Sequence, residues 1–370
     1  MSLPFFLPPI RVREPGFSEY INKRVKNEMN HPRKFIAKGS YGIIYKNPSN
    51  PDKEVIKILS PDTNIDTEID KAERIVRLTG DNGQRIQKIE ITKNDVPSNA
   101  LIEYQHLNDL HSFMKTNQHI PALLMPYLGV DLFEYLDTRP FPLSEELYID
   151  QCCKLLRQTS RLYENGVSHG DLRSENIVFN GTEMTIIDFD IFGTFETVAK
   201  AYEKGIHKNI VPSWAPPEFL ILRNKVDKTR GYVHLLYKRN KSYFSSNGKE
   251  LEQLEKDVLA SNVENSKHIQ GRSMMDFIPY LDNFGLGMAL LEVLDTLYTG
   301  TANKKIIKTR ELLEKITHFE ISKRMTPVQA FYEMKQIREM SGGRRRSIGK
   351  TRRTPKTRRT PKTRRTLKRV

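Results

Sequence analysis

Asp171, Asn176 and Asp188 fall within one stretch, HGDLRSENIVFNGTEMTIIDFD (residues 169–190), with the spacing D-x4-N-x11-D. This order suits the handling of metal-bound phosphate. One carboxylate can accept the proton of an attacking hydroxyl, while the amide and the second carboxylate bind a metal beside the phosphates. Isolated Asp and Asn residues in loops are usually turn formers. An ordered set of three, with His169 two residues ahead of Asp171, is hard to reach by chance. The stretch ends in Asp190.

Two further features suit a phosphate ligand. AKGSYG (37–42) places Gly39 and Gly42 between two strand-like runs, where backbone N–H groups can approach phosphate with no Cβ in the way. Ala37 stands where a first glycine would be ideal, and many hairpins share this pattern. Lys57 is flanked by Ile56 and Ile58, which makes it either an exposed edge charge or a phosphate ligand. A carboxylate on the following helix would hold it, with Glu68 the first candidate and Glu73 the second.

The elements that must carry these residues can be read from periodicity. FIAKGSYGIIYK (35–46) reads as strand, turn, strand, and KEVIKIL as a third strand. DTEIDKAERIVRL is helical, with Ile69, Ile75, Val76 and Leu78 among charges. ALLMPYLGVDLFEYL begins as a buried strand and then loosens. Ser144 to Asn165 reads as a helix capped by Ser144, with Glu145 and Glu146 in its first turn and Gly166 at its end. Residues 219–281 are basic and polar with scattered aromatics, then helical at ELEQLEKDVLASNV. Apolar helical periodicity returns at FGLGMALLEVLDTLY. A strand-rich first third thus precedes a helix-rich remainder.

With its motifs in this order, the sequence resembles a eukaryotic-type protein kinase from about Phe35 to Phe331. The resemblance implies an α+β, bilobal fold with a small β-rich N-lobe (31–127) and a larger helical C-lobe (128–341). It leaves an N-terminal extension (1–30) and an insert at about 225–272. It also implies ATP and Mg2+ as cofactors and protein substrates as partners. In that pattern Ala37, Gly39 and Gly42 form the Gly-rich loop, and Lys57, held by Glu68, meets phosphate. MPYLG is the hinge that binds adenine through its backbone, Leu128 included, with Met125 as gatekeeper and Asp131 suited to the ribose. Asp171 is the catalytic base, Arg173 lies near the transferred phosphate, Asn176 takes the second metal and Asp188 binds magnesium. PPE (216–218), DNFGLG (282–287) and RMTPVQAF (324–331) extend the resemblance away from the phosphates. They imply that Asp282 braces the catalytic-loop backbone and that Arg324 pairs with Glu218.

The departures set further expectations. Gly170 replaces an arginine that gathers a phosphorylated activation loop, so control by loop phosphorylation is not expected. Arg173 replaces a lysine and keeps the charge. Asp190 stands where the pattern has glycine. Aspartate tolerates positive φ better than most residues, so the turn is expected to survive, with the carboxylate drawing metal or facing solvent. Every group that touches phosphate, metal or hydroxyl is present, which favours an active enzyme. Glu175 suits serine/threonine specificity. Trp214 in PSWAPPE suits tyrosine specificity, with Pro212 one place out of register. The alternatives are a pseudokinase scaffold and a small-molecule phosphotransferase.

Charge is concentrated at one end. The chain has 60 Lys and Arg against 45 Asp and Glu, and 14 of the cations lie between Gly342 and Val370, where there is no acid. The body is therefore close to neutral. The tail repeats six residues three times, KTRRTP, KTRRTP, KTRRTL, without an apolar face, and is expected to be disordered and able to attract DNA or RNA. The two cysteines, Cys152 and Cys153, are neighbours and suit reduced thiols. The expected location is intracellular, cytoplasmic or nuclear, with no membrane span and no signal peptide. The insert and the basic repeats are similar in style to those of kinases of large DNA viruses, which adds a virion as a possible location.

Overall fold

The computed structural model describes residues 35–39, 42–59, 64–80, 86–92, 96, 119–204 and 211–340. Strands β1 (Phe35–Gly39), β2 (Gly42–Lys46), β3 (Glu54–Leu59), β4 (Gln87–Thr92) and β5 (His119–Pro126) form an antiparallel sheet in the order β1-β2-β3-β5-β4. The central strand β3 is covered on both faces, so its apolar run is almost continuous. Ile56 and Ile58 pack with Ile43, Tyr45 and Ile120. Leu59, on the opposite face, packs with Ile65 and Leu123. Strand alternation puts Lys57 on that second face, toward helix α1 (Ile65–Thr79). Asn64 caps α1 by accepting from the Asp66 and Thr67 amides, and Gly80 ends it in the left-handed region.

The second lobe begins after Pro126. Its first part contains β6 (Val130–Asp131), α2 (Leu132–Thr138), α3 (Glu145–Glu164), β7 (Val167–Ser168), β8 (Ile177–Phe179), β9 (Met184–Ile186), β10 (Gly193–Thr194) and α4 (Phe195–Lys204). Helices α5 (Glu218–Leu222), α6 (Thr229–Arg239), α7 (Lys241–Ser246), α8 (Leu251–Ile269), α9 (Ile278–Leu297), α10 (Lys304–Ile316) and α11 (Pro327–Glu339) follow. β6, β8 and β9 make one small sheet, and β7 pairs with β10. Ser144 caps α3 and Gly166 follows its end with positive φ, as the sequence pattern predicts. The chain adopts the bilobal α+β architecture expected of it.

Helix α9 is apolar on nearly every face because it runs through the core. It also closely approaches the loop that carries Leu172. A Cβ on Gly285 would lie 2.0 Å from the Leu172 carbonyl oxygen, so only glycine fits. Glu218 at the start of α5 and Arg324 before α11 form a fully buried bidentate ion pair, as the resemblance implied.

The basic, polar stretch after Glu218 folds as α6 and α7, ahead of α8 where the sequence reads as helical. Tyr232, Val233, Leu236, Phe244, Leu254 and Val258 all join the main core. The Glu292 carboxylate on α9 accepts from the Ser242 and Tyr243 amides at 3.1 Å each, anchoring the start of α7. Asp295, one turn further on, accepts from Ser246 Oγ and pairs with Arg310. Cys152 and Cys153 are unbridged and buried in α3, and burial pushes both thiols up. No helix among the described residues is long and apolar enough to cross a membrane. The extension over 1–30 and the repeats over 342–370 lie outside the described residues.

Candidate active site

The loop between β7 and β8 is shaped by Asp282 of α9. Its carboxylate accepts from Ser168 Oγ (2.9 Å), His169 N (2.7 Å) and Gly170 N (2.9 Å). Asp282 thus braces the loop as the resemblance implied. His169 fixes the next layer. The Asp171 amide donates to its Nδ1 at 3.2 Å, which assigns the ring proton to Nε2, donated to the Ile187 carbonyl at 2.9 Å. The loop is thereby tied to the segment that carries Asp188.

Asp171, Arg173 and Asn176 come together in this loop. Asn176 Nδ2 donates to the Asp171 backbone oxygen (2.7 Å) and to Oδ2 (3.1 Å), while Arg173 Nε lies 3.5 Å from the same Oδ2. Asp171 Oδ1 is buried and has no hydrogen-bond partner. A buried carboxylate oxygen left unpaired is costly, and its position marks where a donor from outside the chain is accepted. Burial pushes the Asp171 carboxyl up to about 6, against the opposing charge of Arg173.

Lys57, Glu68, Met125, Leu128, Asp188 and Asp190 line a cleft between the lobes. The ion pairs within it differ from the expected ones. Lys57 Nζ lies 3.7 Å from Asp190 Oδ1, while Glu68 is held by Lys71 at 2.9 Å. Glu73 is exposed and pairs with Arg77 at 3.4 Å. The expected Lys57–Glu68 pair is thus replaced. A carboxylate stands at position 190, where glycine would offer none, and Lys71 lies one turn from Glu68 on the same helix face. Lys71 also donates to the Asp190 backbone oxygen at 3.3 Å. Its i,i+3 spacing from Glu68 was the sequence signal for this missed residue.

Asp190 corrects a second expectation. The non-glycine residues with positive φ among those described are Arg139, Asp188 and Asn224, so the left-handed position is Asp188 (φ 63°) and not Asp190. The Asp190 carboxylate faces Lys57 instead of solvent, and burial pushes it up to about 6 against the pull of Lys57.

The remaining candidates sit around this core. Ala37 pairs with Ile44 across β1 and β2, and Gly39 with Gly42; Ser40 and Tyr41 between them lie outside the described residues. Asp131 caps α2 through a bond from the Glu134 amide at 2.8 Å, and burial pushes its carboxyl up to about 6. Gly170 has φ +82°, a Cβ there would lie 2.8 Å from Ile191 Cγ2, and its carbonyl accepts from Tyr202 Oη at 2.8 Å. A side chain at this position has neither the backbone nor the room. A hard cation fits the oxygen donors present: the Asp188 carboxylate and the Asn176 side-chain oxygen, since the Asn176 nitrogen is engaged by Asp171.

A family profile described as protein tyrosine and serine/threonine kinase matches residues 31–229, more than half of the chain. The chain belongs to the protein kinase family. It is similar to cyclin-dependent kinase 14 of Xenopus tropicalis, 22% identical over 191 residues that cover 50% of this chain and 39% of the relative. It is similar to cyclin-dependent kinase 14 of Homo sapiens as well, 22% identical over 194 residues covering 50% of this chain and 35% of that one. The match spans well under half the length of these relatives. In this kinase domain, Arg173 links Asp171 to Glu175 and Trp214. Arg173 and Arg239 both reach Glu175, and both guanidiniums lie over the Trp214 ring. Arg239, from the inserted segment, has no counterpart among the residues singled out in the sequence.

Proposed function

We propose that this protein kinase is active and transfers the γ-phosphoryl group of ATP to Ser or Thr hydroxyls of protein substrates. The observation that carries the reading is Asp171 Oδ1. It is buried and unpartnered, while Asn176 and Arg173 fix the other oxygen of the same carboxylate. A hydroxyl donating to Oδ1 would be oriented and would lose its proton to Asp171 as its oxygen bonds to the γ-phosphorus and the bond to the β–γ bridging oxygen breaks, releasing ADP. Arg173 stays beside the incoming phosphoryl group. Lys57 and the backbone of the β1–β2 turn hold phosphate, the hinge around Met125 and Leu128 takes adenine, and Asp131 suits the ribose. Magnesium bound by Asn176 and Asp188 would neutralise charge on the phosphate oxygens. Glu175 and the likeness to cyclin-dependent kinases support Ser/Thr over Tyr.

A second reading, a pseudokinase scaffold, is favoured by one observation: Asp190 occupies Lys57. Transfer of phosphate to a generic basic protein by wild-type protein, lost in Asp171→Asn, decides between the two. Profiling against small-molecule acceptors decides between a protein kinase and a small-molecule phosphotransferase. The charge of residues 342–370 supports sequence-blind binding of DNA or RNA, and the reduced, buried cysteines support an intracellular location, cytoplasmic or nuclear. The insert and the repeats support a source in a large DNA virus and packaging in a virion.

A further inference from the structure

The segment inserted after Glu218 reaches the catalytic loop through one side chain. Arg239, the last residue of α6, places Nη1 2.5 Å from Glu175 Oε1. Arg173 Nη1 lies 3.5 Å from the same oxygen. The Cζ atoms of Arg173 and Arg239 lie 4.4 and 5.3 Å from the centroid of Trp214, so one ring carries both cations. Ser174 Oγ donates to the other Glu175 oxygen at 3.0 Å. Burial alone would raise the Glu175 carboxyl, yet Arg239 and then Arg173 outweigh it and hold it below its ordinary value.

Arg239 is held in place from both sides. Tyr232 Oη donates to the Ala215 carbonyl at 2.8 Å, tying α6 to the residue after Trp214. Just beyond Arg239, Glu292 anchors the Ser242 and Tyr243 amides. The side chains of Arg239, Arg173 and Glu175 remain 29%, 26% and 26% exposed, so an acceptor can reach them. From Lys228 to Lys249 the chain carries six Lys and Arg and no acid. The wall beside Asp171 therefore sets two guanidiniums around Glu175, with Arg173 also 3.5 Å from Asp171 Oδ2.

We propose that Arg239 determines acceptor specificity: with Arg173 it makes the site select peptides carrying an acidic side chain beside the accepting Ser or Thr, and reject basic ones. This rests on the protein-kinase reading above. Each guanidinium has five N–H donors in a fixed fork, more than Glu175 can engage, and the spare donors suit a carboxylate of the acceptor. A basic side chain would have to displace Arg239 from Glu175 while facing two cations, an attractive and a repulsive term acting in the same direction.

The test is fluorescence anisotropy on full-length protein, with labelled peptides that carry a single Thr flanked either by Glu or by Arg. Wild-type protein should bind the Glu peptide about tenfold more tightly than the Arg peptide. Arg239→Ala should remove most of that ratio, Arg239→Glu should invert it, and Arg239→Lys should keep part of it. The basic tail is common to all variants and cancels when their ratios are compared. Should Arg239→Ala fail to fold, Glu175→Gln reads the same wall and should raise the preference for the Glu peptide. An unmoved ratio in both the Arg239 and Glu175 variants, or a wild-type preference for the Arg peptide, would overturn the inference. Binding is read without turnover. Failure of wild-type protein to phosphorylate any peptide therefore counts against the kinase reading, and an unmoved ratio counts against the role of Arg239.

Discussion

Replacing Asp190 should tighten nucleotide binding. Lys57 Nζ and Asp190 Oδ1 are 3.7 Å apart, with only 15% and 21% of their side chains exposed. At an effective dielectric constant of about 20, unit charges at that spacing attract by about 4 kcal/mol. Lost hydration of both groups offsets most of this, leaving ~1–2 kcal/mol. A phosphate oxygen that takes Lys57 must displace the carboxylate, so its removal should tighten ATP binding about five- to thirtyfold. The gain does not come from the backbone, because Asp190 does not have positive φ. Glycine at this position relieves no strain and adds chain freedom costing ~0.5–1 kcal/mol. Asp190→Ala, which removes the carboxylate without that cost, should therefore match or exceed Asp190→Gly. The assay is an equilibrium titration with a fluorescent ATP analogue and Mg2+, repeated with adenosine, which has no phosphate and should bind unchanged. Weaker ATP binding by both variants would refute the reasoning and make Asp190 a working ligand.

Three other outcomes follow from the geometry. Phosphatase treatment should leave activity intact, because Gly170 offers no side chain to receive a phosphate. Loss of activity that tracks dephosphorylation of Thr194 or Thr197 by mass spectrometry would contradict this. Glu218→Ala or Arg324→Ala should lower stability by roughly 3–5 kcal/mol, since each leaves a fully buried charge unpaired, and the urea midpoint reads the change. Protein ending at residue 341 should keep its activity on a short peptide and lose affinity for mixed DNA and RNA. For the full chain on duplex DNA, log K should fall by about 0.9 per phosphate neutralised for each unit of log salt; equal affinity of the two proteins would sink the role of the tail.

The candidate site was legible where chemistry is encoded by local order. Asp171, Asn176 and Asp188 sit on short loops next to β8 and β9, so their spacing in the chain nearly fixes their arrangement in space. Asp282 and the Glu218–Arg324 pair became legible only through the resemblance, because their partners are more than a hundred residues away. Partner choice was not legible. Whether Lys57 meets Glu68 or Asp190 depends on the approach of α1 to the segment after β9, which no spacing states. In the insert, the helix at ELEQLEKDVLASNV was legible, while α6 and α7 were hidden for another reason. Tyr232, Val233, Leu236 and Phe244 make a short apolar face among six cations, and the Glu292 anchor lies fifty residues downstream. Trp214, read as a mark of hydroxyl specificity, is a platform for Arg173 and Arg239.

The most direct test of the account compares wild-type protein and Asp171→Asn in transfer of labelled γ-phosphate from ATP to Ser/Thr peptides, with melting curves for both. Asparagine keeps the shape and the bond from Asn176, but it cannot take a proton. The account predicts transfer by the wild type and a loss of about 10²–10⁴-fold in the variant at nearly unchanged melting temperature. Equal rates for the two proteins, or no transfer by the wild type to any peptide, would contradict it.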